Sequence, residues 1–225
     1  MTYLLIFAVF MLASWAVGAR LKSKFRQYSQ IPVNYNMSGR EVAEKMLSDN
    51  GINDVQVLSV DGELTDHYNP QKKTVNLSPD VYHGRSIASA AIAAHECGHA
   101  VQHAEAYSWL QMRTTLVPVV SFSSKWVQWI LLGGILLVNS FPQLLLAGIV
   151  MFAMTTLFSF ITLPVEIDAS RRATSWLDGS GVASVATLPK AKEALRLAAY
   201  TYVIAALASL ATLMYYIMIY LGRRD

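Results

Sequence analysis

Three stretches of this chain, residues 1–19, 126–165 and 197–222, contain no Asp, Glu, Lys or Arg. The middle one runs for 40 residues, the length of two membrane spans, since a helix crosses a bilayer core of about 30 Å with roughly 20 residues. The 33 charged side chains, 18 basic and 15 acidic, are confined to the remaining 140 residues. That is about one residue in four, the proportion of an ordinary soluble domain. Membrane segments and water-soluble segments therefore alternate along one polypeptide, which argues against a purely soluble enzyme. The net charge of +3 is too small to argue for nucleic acid as a partner. A single cysteine, Cys97, leaves no intrachain disulfide to form.

The first apolar run, Thr2–Ala19, is followed by Arg20, Lys22, Lys24 and Arg26 and preceded by no basic residue. A secretory signal has the opposite order, so an uncleaved anchor is the better reading, although the small residues at 16–19 keep a cleavable signal open. The 40-residue run divides at Asn139-Ser140-Phe141-Pro142 into spans near Val119–Val138 and Pro142–Leu163. Lys125 lies close enough to the end of the first of these to snorkel, with Trp126 and Trp129 as interfacial anchors. A fourth span covers about Ala198–Leu221. Lys and Arg are concentrated at 20–26, 113, 171–172 and 190–196, which puts residues 20–118 and 164–197 in the cytoplasm and the N-terminus outside. Arg223 and Arg224 oppose that orientation if all four spans are real, so three spans with an interfacial last helix is the alternative. The chain is thus expected to be a multi-pass cell-membrane protein with the lipid bilayer as one partner. Its divisions are an anchor at 1–19, a soluble part at 20–118, a hairpin at 119–163, a cytoplasmic segment at 164–197 and a last span at 198–225.

The soluble stretch reads as a small α+β unit. Ser38 and Glu41 form a capping box that opens a helix through about Asp49, and Asn50-Gly51 closes it. Val55–Val60 and Lys73–Leu77 read as strands, with Asp61-Gly62 as a turn. Ser78-Pro79 starts a helix, and a long Ala-rich helix covers Ser86 to about Tyr107.

That last helix carries His95-Glu96-Cys97-Gly98-His99. Helical positions i and i+4 share a face one turn apart, so both imidazoles can reach one metal ion, while Glu96 is turned aside to face the remaining ligand position. Zinc requires a third protein ligand and one open position. His103 continues the spacing but lies about 6 Å further along the axis than His99, so it reads as a surface residue or one that supports the ligands. Gln102 and Glu105 stand where a metzincin would carry Gly and His, which excludes that class. Glu166 is the better third ligand, because two spans separate it from His99 and an even number returns the chain to the same side of the membrane. The plain alternative is that Glu166 and Asp168 pair with Arg171 and Arg172.

Asp66-His67-Tyr68-Asn69-Pro70, Val75-Asn76-Leu77-Ser78, Ala93–Gln102 around the histidine pair and Glu166–Ala173 together resemble the YugP-like family of neutral zinc metallopeptidases, and more distantly the HtpX-type membrane gluzincins. The resemblance covers nearly the whole chain. It implies a mainly α fold with a small α+β zincin-like catalytic part and about four transmembrane helices. It further implies one zinc per chain bound by His95, His99 and Glu166, Glu96 as general base, and a substrate-binding edge strand matched by residues 73–78. Gluzincins carry an Asp four residues after the ligand Glu to orient a histidine. This chain has Ser170 there, with Asp168 nearby.

The expected activity is zinc-dependent endopeptidase cleavage of a peptide or protein substrate, membrane-associated by analogy with HtpX-type enzymes. Tyr82, His83 and Arg171 are candidates to stabilise the oxyanion, and Cys97, turned away from the histidine face, reads as a packing residue. Two other classes stay open from sequence. A site-2-type intramembrane protease would use Asp178 of Leu177-Asp178-Gly179, although that stretch reads as a loop and Ile87–Val101 is short for a span. A catalytically silent zinc-binding membrane scaffold is the other. A metal transporter should bury ionisable groups within its spans, and apart from Lys125 these have none.

Overall fold

The computed structural model describes residues 2–222; Arg223 and Arg224, which bear on the orientation of the last span, lie outside them. The elements in chain order are α1 (Thr2–Tyr28), α2 (Gly39–Asp49), β1 (Gln56–Ser59), β2 (His67–Asn69), β3 (Thr74–Leu77), α3 (Pro79–His83), α4 (Ile87–Ala104), α5 (Ser108–Leu136), α6 (Pro142–Gly179) and α7 (Leu188–Gly222). The fold is mostly helical, and α1, α5, α6 and α7 are each long and apolar enough to cross a membrane. All four helices extend past the uncharged runs. α1 continues to Tyr28, and α6 runs unbroken through Pro164 to Gly179. The chain divides into two compact units, one of residues 1–16, 111–163 and 201–225, the other of 17–110 and 164–200.

In the first unit, α5 and α6 form the hairpin that Asn139–Pro142 implied, with α5 ending at Leu136 and α6 starting at Pro142. Val127, Leu131, Leu145 and Ile149 make its core. Gly134 lets the helices close, because a Cβ there would lie 2.5 Å from the Cα of Leu145. Phe152 packs edge-on against Tyr216, and the Thr156 and Ser209 hydroxyls hydrogen-bond at 2.7 Å, which joins α6 to α7. Large apolar side chains point outward, among them Phe7, Trp15, Phe122 and Trp129, as expected of faces solvated by lipid rather than water.

The second unit has a conventional core. In α2 the Ser38 side chain accepts from the Glu41 backbone N–H and the Glu41 carboxylate accepts from the Ser38 N–H, so the capping box is formed. Val42, Ala43, Met46 and Leu47 turn inward from that helix. They meet α4, whose Ala88, Ala90, Ala91, Ala93 and Ala94 are all buried; alanines permit a close helix–helix approach. The sheet has the order β1-β3-β2, with β1 parallel and β2 antiparallel to β3. All four residues of β3 are buried. Near the start of α7, Glu193 ion-pairs with Lys24 and accepts from the Tyr28 hydroxyl, which pins the end of α1.

Three expectations change. His67–Asn69, within a stretch read as a motif rather than a strand, forms β2. β3 is the middle strand, occupied on both sides, so residues 73–78 cannot supply a free edge for substrate; the edges are β1 and β2. Leu177-Asp178-Gly179 is the final turn of α6, not a loop.

Candidate metal centre

His95 and His99 are carried by α4, and the helix is placed by what surrounds it. Its N-terminus is capped by Ser86, whose hydroxyl accepts from the Ser89 N–H. Its middle is pressed against α6 at Gly98, where a Cβ would stand 2.6 Å from the carbonyl oxygen of Ala169. Only glycine tolerates that approach, since the obstructing atom belongs to the backbone. The contact lies between His95 and His99 on one helix and between Glu166 and Ser170 on the other.

Three donor side chains converge there. His95, His99 and Glu166 each offer a ligand atom, and these atoms all lie within 4.8 Å of one another. A carboxylate oxygen of Glu166 is 3.3 Å from His95 Nε2 and 3.7 Å from His99 Nε2. Zinc binds nitrogen and oxygen at about 2.0–2.2 Å, so tetrahedral ligand atoms stand roughly 3.4 Å apart; the donor set fits zinc. His99 and Glu166 are buried and His95 is partly exposed. Burial opposes a charge on His99, but the neighbouring Glu166 and Glu96 carboxylates raise its pKa above the ordinary histidine value.

The outer nitrogens of both rings are also engaged. The Ser170 hydroxyl lies 3.2 Å from His95 Nδ1. His99 Nδ1 lies 3.0 Å from Gln102 Oε1. Gln102 Nε2 donates to the Val165 carbonyl at 2.8 Å and to Asp168 at 2.9 Å. Arg172 then links Asp168 to Glu105. Such contacts fix ring orientation and tautomer at metal sites. The Ser170 hydroxyl thus meets one histidine, and Asp168 reaches the other through Gln102. The sequence marks Gln102 as the end of the Ala93–Gln102 motif and as a departure from the metzincin pattern, not as a partner of His99; its place three residues after His99 on the same helical face was the available signal.

The remaining candidates lie elsewhere. Glu96 is buried on α4 beside His95. Cys97 is buried with its thiol near the Ala43 carbonyl oxygen, and burial pushes that thiol's pKa well up. His103 is exposed and bonds to the Tyr68 hydroxyl of β2 at 2.8 Å. Tyr82 packs edge-on against His83 at the end of α3, and Arg171 lines an open pocket with Trp176 and Met46. Asp178 is exposed and is not part of the donor cluster.

Two histidines on one helix and a glutamate on a second thus make a donor set able to hold a metal ion, and comparison with known proteins says what the chain is similar to. Residues 3–221 match the family described as "Putative neutral zinc metallopeptidase", and the chain belongs to that family. It is 42% identical over 214 residues to "Putative membrane protease YugP" of Bacillus subtilis (strain 168), covering 95% of this chain and 94% of that protein. No solved structure matches.

Proposed function

We propose that this chain is a membrane-anchored zinc endopeptidase of gluzincin type, binding one zinc through His95, His99 and Glu166. The observation that carries the reading is the convergence of those three donors from two helices, with His95 and Glu166 71 residues apart in sequence. Zinc held there would supply Lewis acidity and would lower the pKa of water towards about 7. Glu96 acts as general base. Its carboxylate takes the proton of the attacking water and passes it to the leaving amine, so the C–N bond breaks without expelling an amide anion. Ser170 and Gln102 hold the imidazoles.

The substrate is a peptide or protein, membrane-associated by analogy with HtpX-type enzymes. With β3 occupied on both sides, an extended substrate has β2 as the edge that packs against the metal helix. The catalytic part faces the cytoplasm, a reading supported by the excess of Lys and Arg at 20–26, 171–172 and 190–196. Zinc content and cleavage of an unfolded casein, measured in detergent for the wild type and Glu96→Gln, test the activity. The variant should keep its zinc and lose cleavage by about 100-fold or more; equal cleavage by both would overturn the reading. Zinc retained with no cleavage by either would favour a silent scaffold.

A further inference from the structure

We infer that Gln102 is a positioning residue that presets His99 for the metal, an inference that rests on the zinc site proposed above. Gln102 is fully buried, so each polar atom of its amide must be matched from within the protein. The two ends of an amide are ordinarily interchangeable, but here the surroundings decide. Nε2 faces the Val165 carbonyl and the Asp168 carboxylate at 2.8 and 2.9 Å. Both are pure acceptors, and turning the amide round would set an oxygen against two oxygens. Oε1 must therefore face His99 Nδ1, 3.0 Å away. An amide oxygen only accepts, so Nδ1 carries the ring proton, and the lone pair of His99 is left on Nε2, the atom 3.7 Å from the Glu166 carboxylate.

His95 has no such constraint, since the Ser170 hydroxyl beside it can donate or accept. The same Gln102 amide grips the carbonyl of Val165, the residue directly before Glu166. One side chain on α4 thereby orients one ligand and tethers the segment bearing another. Asp168 holds the amide in place. Its Oδ2 accepts from both Gln102 and Arg172, and Arg172 reaches back to Glu105 at the C-terminal cap of α4. What Asp168 offers the amide is an acceptor oxygen, beside the ion pair it makes with Arg172.

The test is the zinc dissociation constant of the full-length protein in detergent, measured by competition with a chromophoric chelator, with thermal unfolding of the metal-free form recorded in parallel. Gln102→Met keeps the volume and removes the amide; it should weaken zinc about 10–100-fold, the usual effect of losing a partner behind a metal ligand. Asp168→Ala should weaken zinc in the same direction, whereas Asp168→Asn, which can put its own oxygen where Oδ2 stands, should bind like the wild type. Zinc bound by Gln102→Met as tightly as by the wild type would overturn the inference. So would Asp168→Asn binding as weakly as Asp168→Ala. If Gln102→Met does not yield folded protein, the Asp168 pair decides alone. A wild type that takes up no zinc would instead overturn the metal site itself.

Discussion

Gly98 and Ala169 meet backbone to backbone: a methyl group on Gly98 would stand 2.6 Å from the Ala169 carbonyl oxygen and 3.1 Å from its Cα. This contact seats the helix carrying both histidines against the helix carrying Glu166. Gly98→Ala should cost roughly 1–3 kcal/mol of stability by overpacking and should lower zinc affinity along with it. Thermal unfolding and chelator competition measure the two effects. Because the obstruction is main chain, Ala169→Gly in the same background should give no rescue; recovery by that second change would show that the contact is only a side-chain clash.

Glu166 and Asp178 separate two readings of the third ligand. Glu166→Ala should take the purified protein from one zinc per chain to nearly none, and Asp178→Ala should leave the content unchanged, since Asp178 is exposed on the last turn of α6. Metal analysis after gel filtration reads both, and zinc lost from the Asp178 variant alone would reverse the assignment.

The Cys97 thiol is buried and its pKa is raised by burial, so it should be inert in the folded protein. A thiol reagent such as a maleimide should label less than about a tenth of the native chains in detergent and label stoichiometrically once the protein is unfolded. Rapid labelling of the native protein would contradict the packing around α4.

The capping box of α2 makes stability depend on acid. The Ser38 backbone N–H and then its hydroxyl, with help from Arg85, hold the Glu41 carboxyl below the usual carboxylate range. A carboxyl with a depressed folded pKa stabilises fully above its unfolded value of about 4.3, and that stabilisation disappears as pH falls through the folded value. Thermal midpoints of Glu41→Gln should therefore lie below the wild type at pH 7 and converge with it towards pH 3. A constant gap across that range would mean that the charge of Glu41 contributes nothing.

Local chemistry explains which parts of the fold could be read from the chain. The capping box of α2 spans only Ser38–Glu41, and the turn between α5 and α6 is written in Asn139–Pro142. Both depend on neighbours within a few residues. β2 escaped notice because His67–Asn69 is too short for an alternation to register, and it becomes a strand only by pairing with β3. Pro164 argues for a helix end, since it removes a backbone donor and costs about 3 kcal/mol within a helix. α6 nevertheless passes through it, with Val165, Ala169, Ala173 and Leu177 all buried in sequence beyond it.

What the sequence determined by itself was the division into uncharged runs and charged segments, the four helices able to cross a membrane, and the pairing of His95 with His99 on one helical face. These follow from composition and from a period of 3.6 residues. Tertiary structure decided that Glu166 reaches the two histidines, that the Ser170 hydroxyl lies against His95, and that Gln102 lies between Asp168 and His99. Those contacts join residues 63 to 75 positions apart. No local rule specifies them, because they exist only where a missing side chain at Gly98 lets two helices touch.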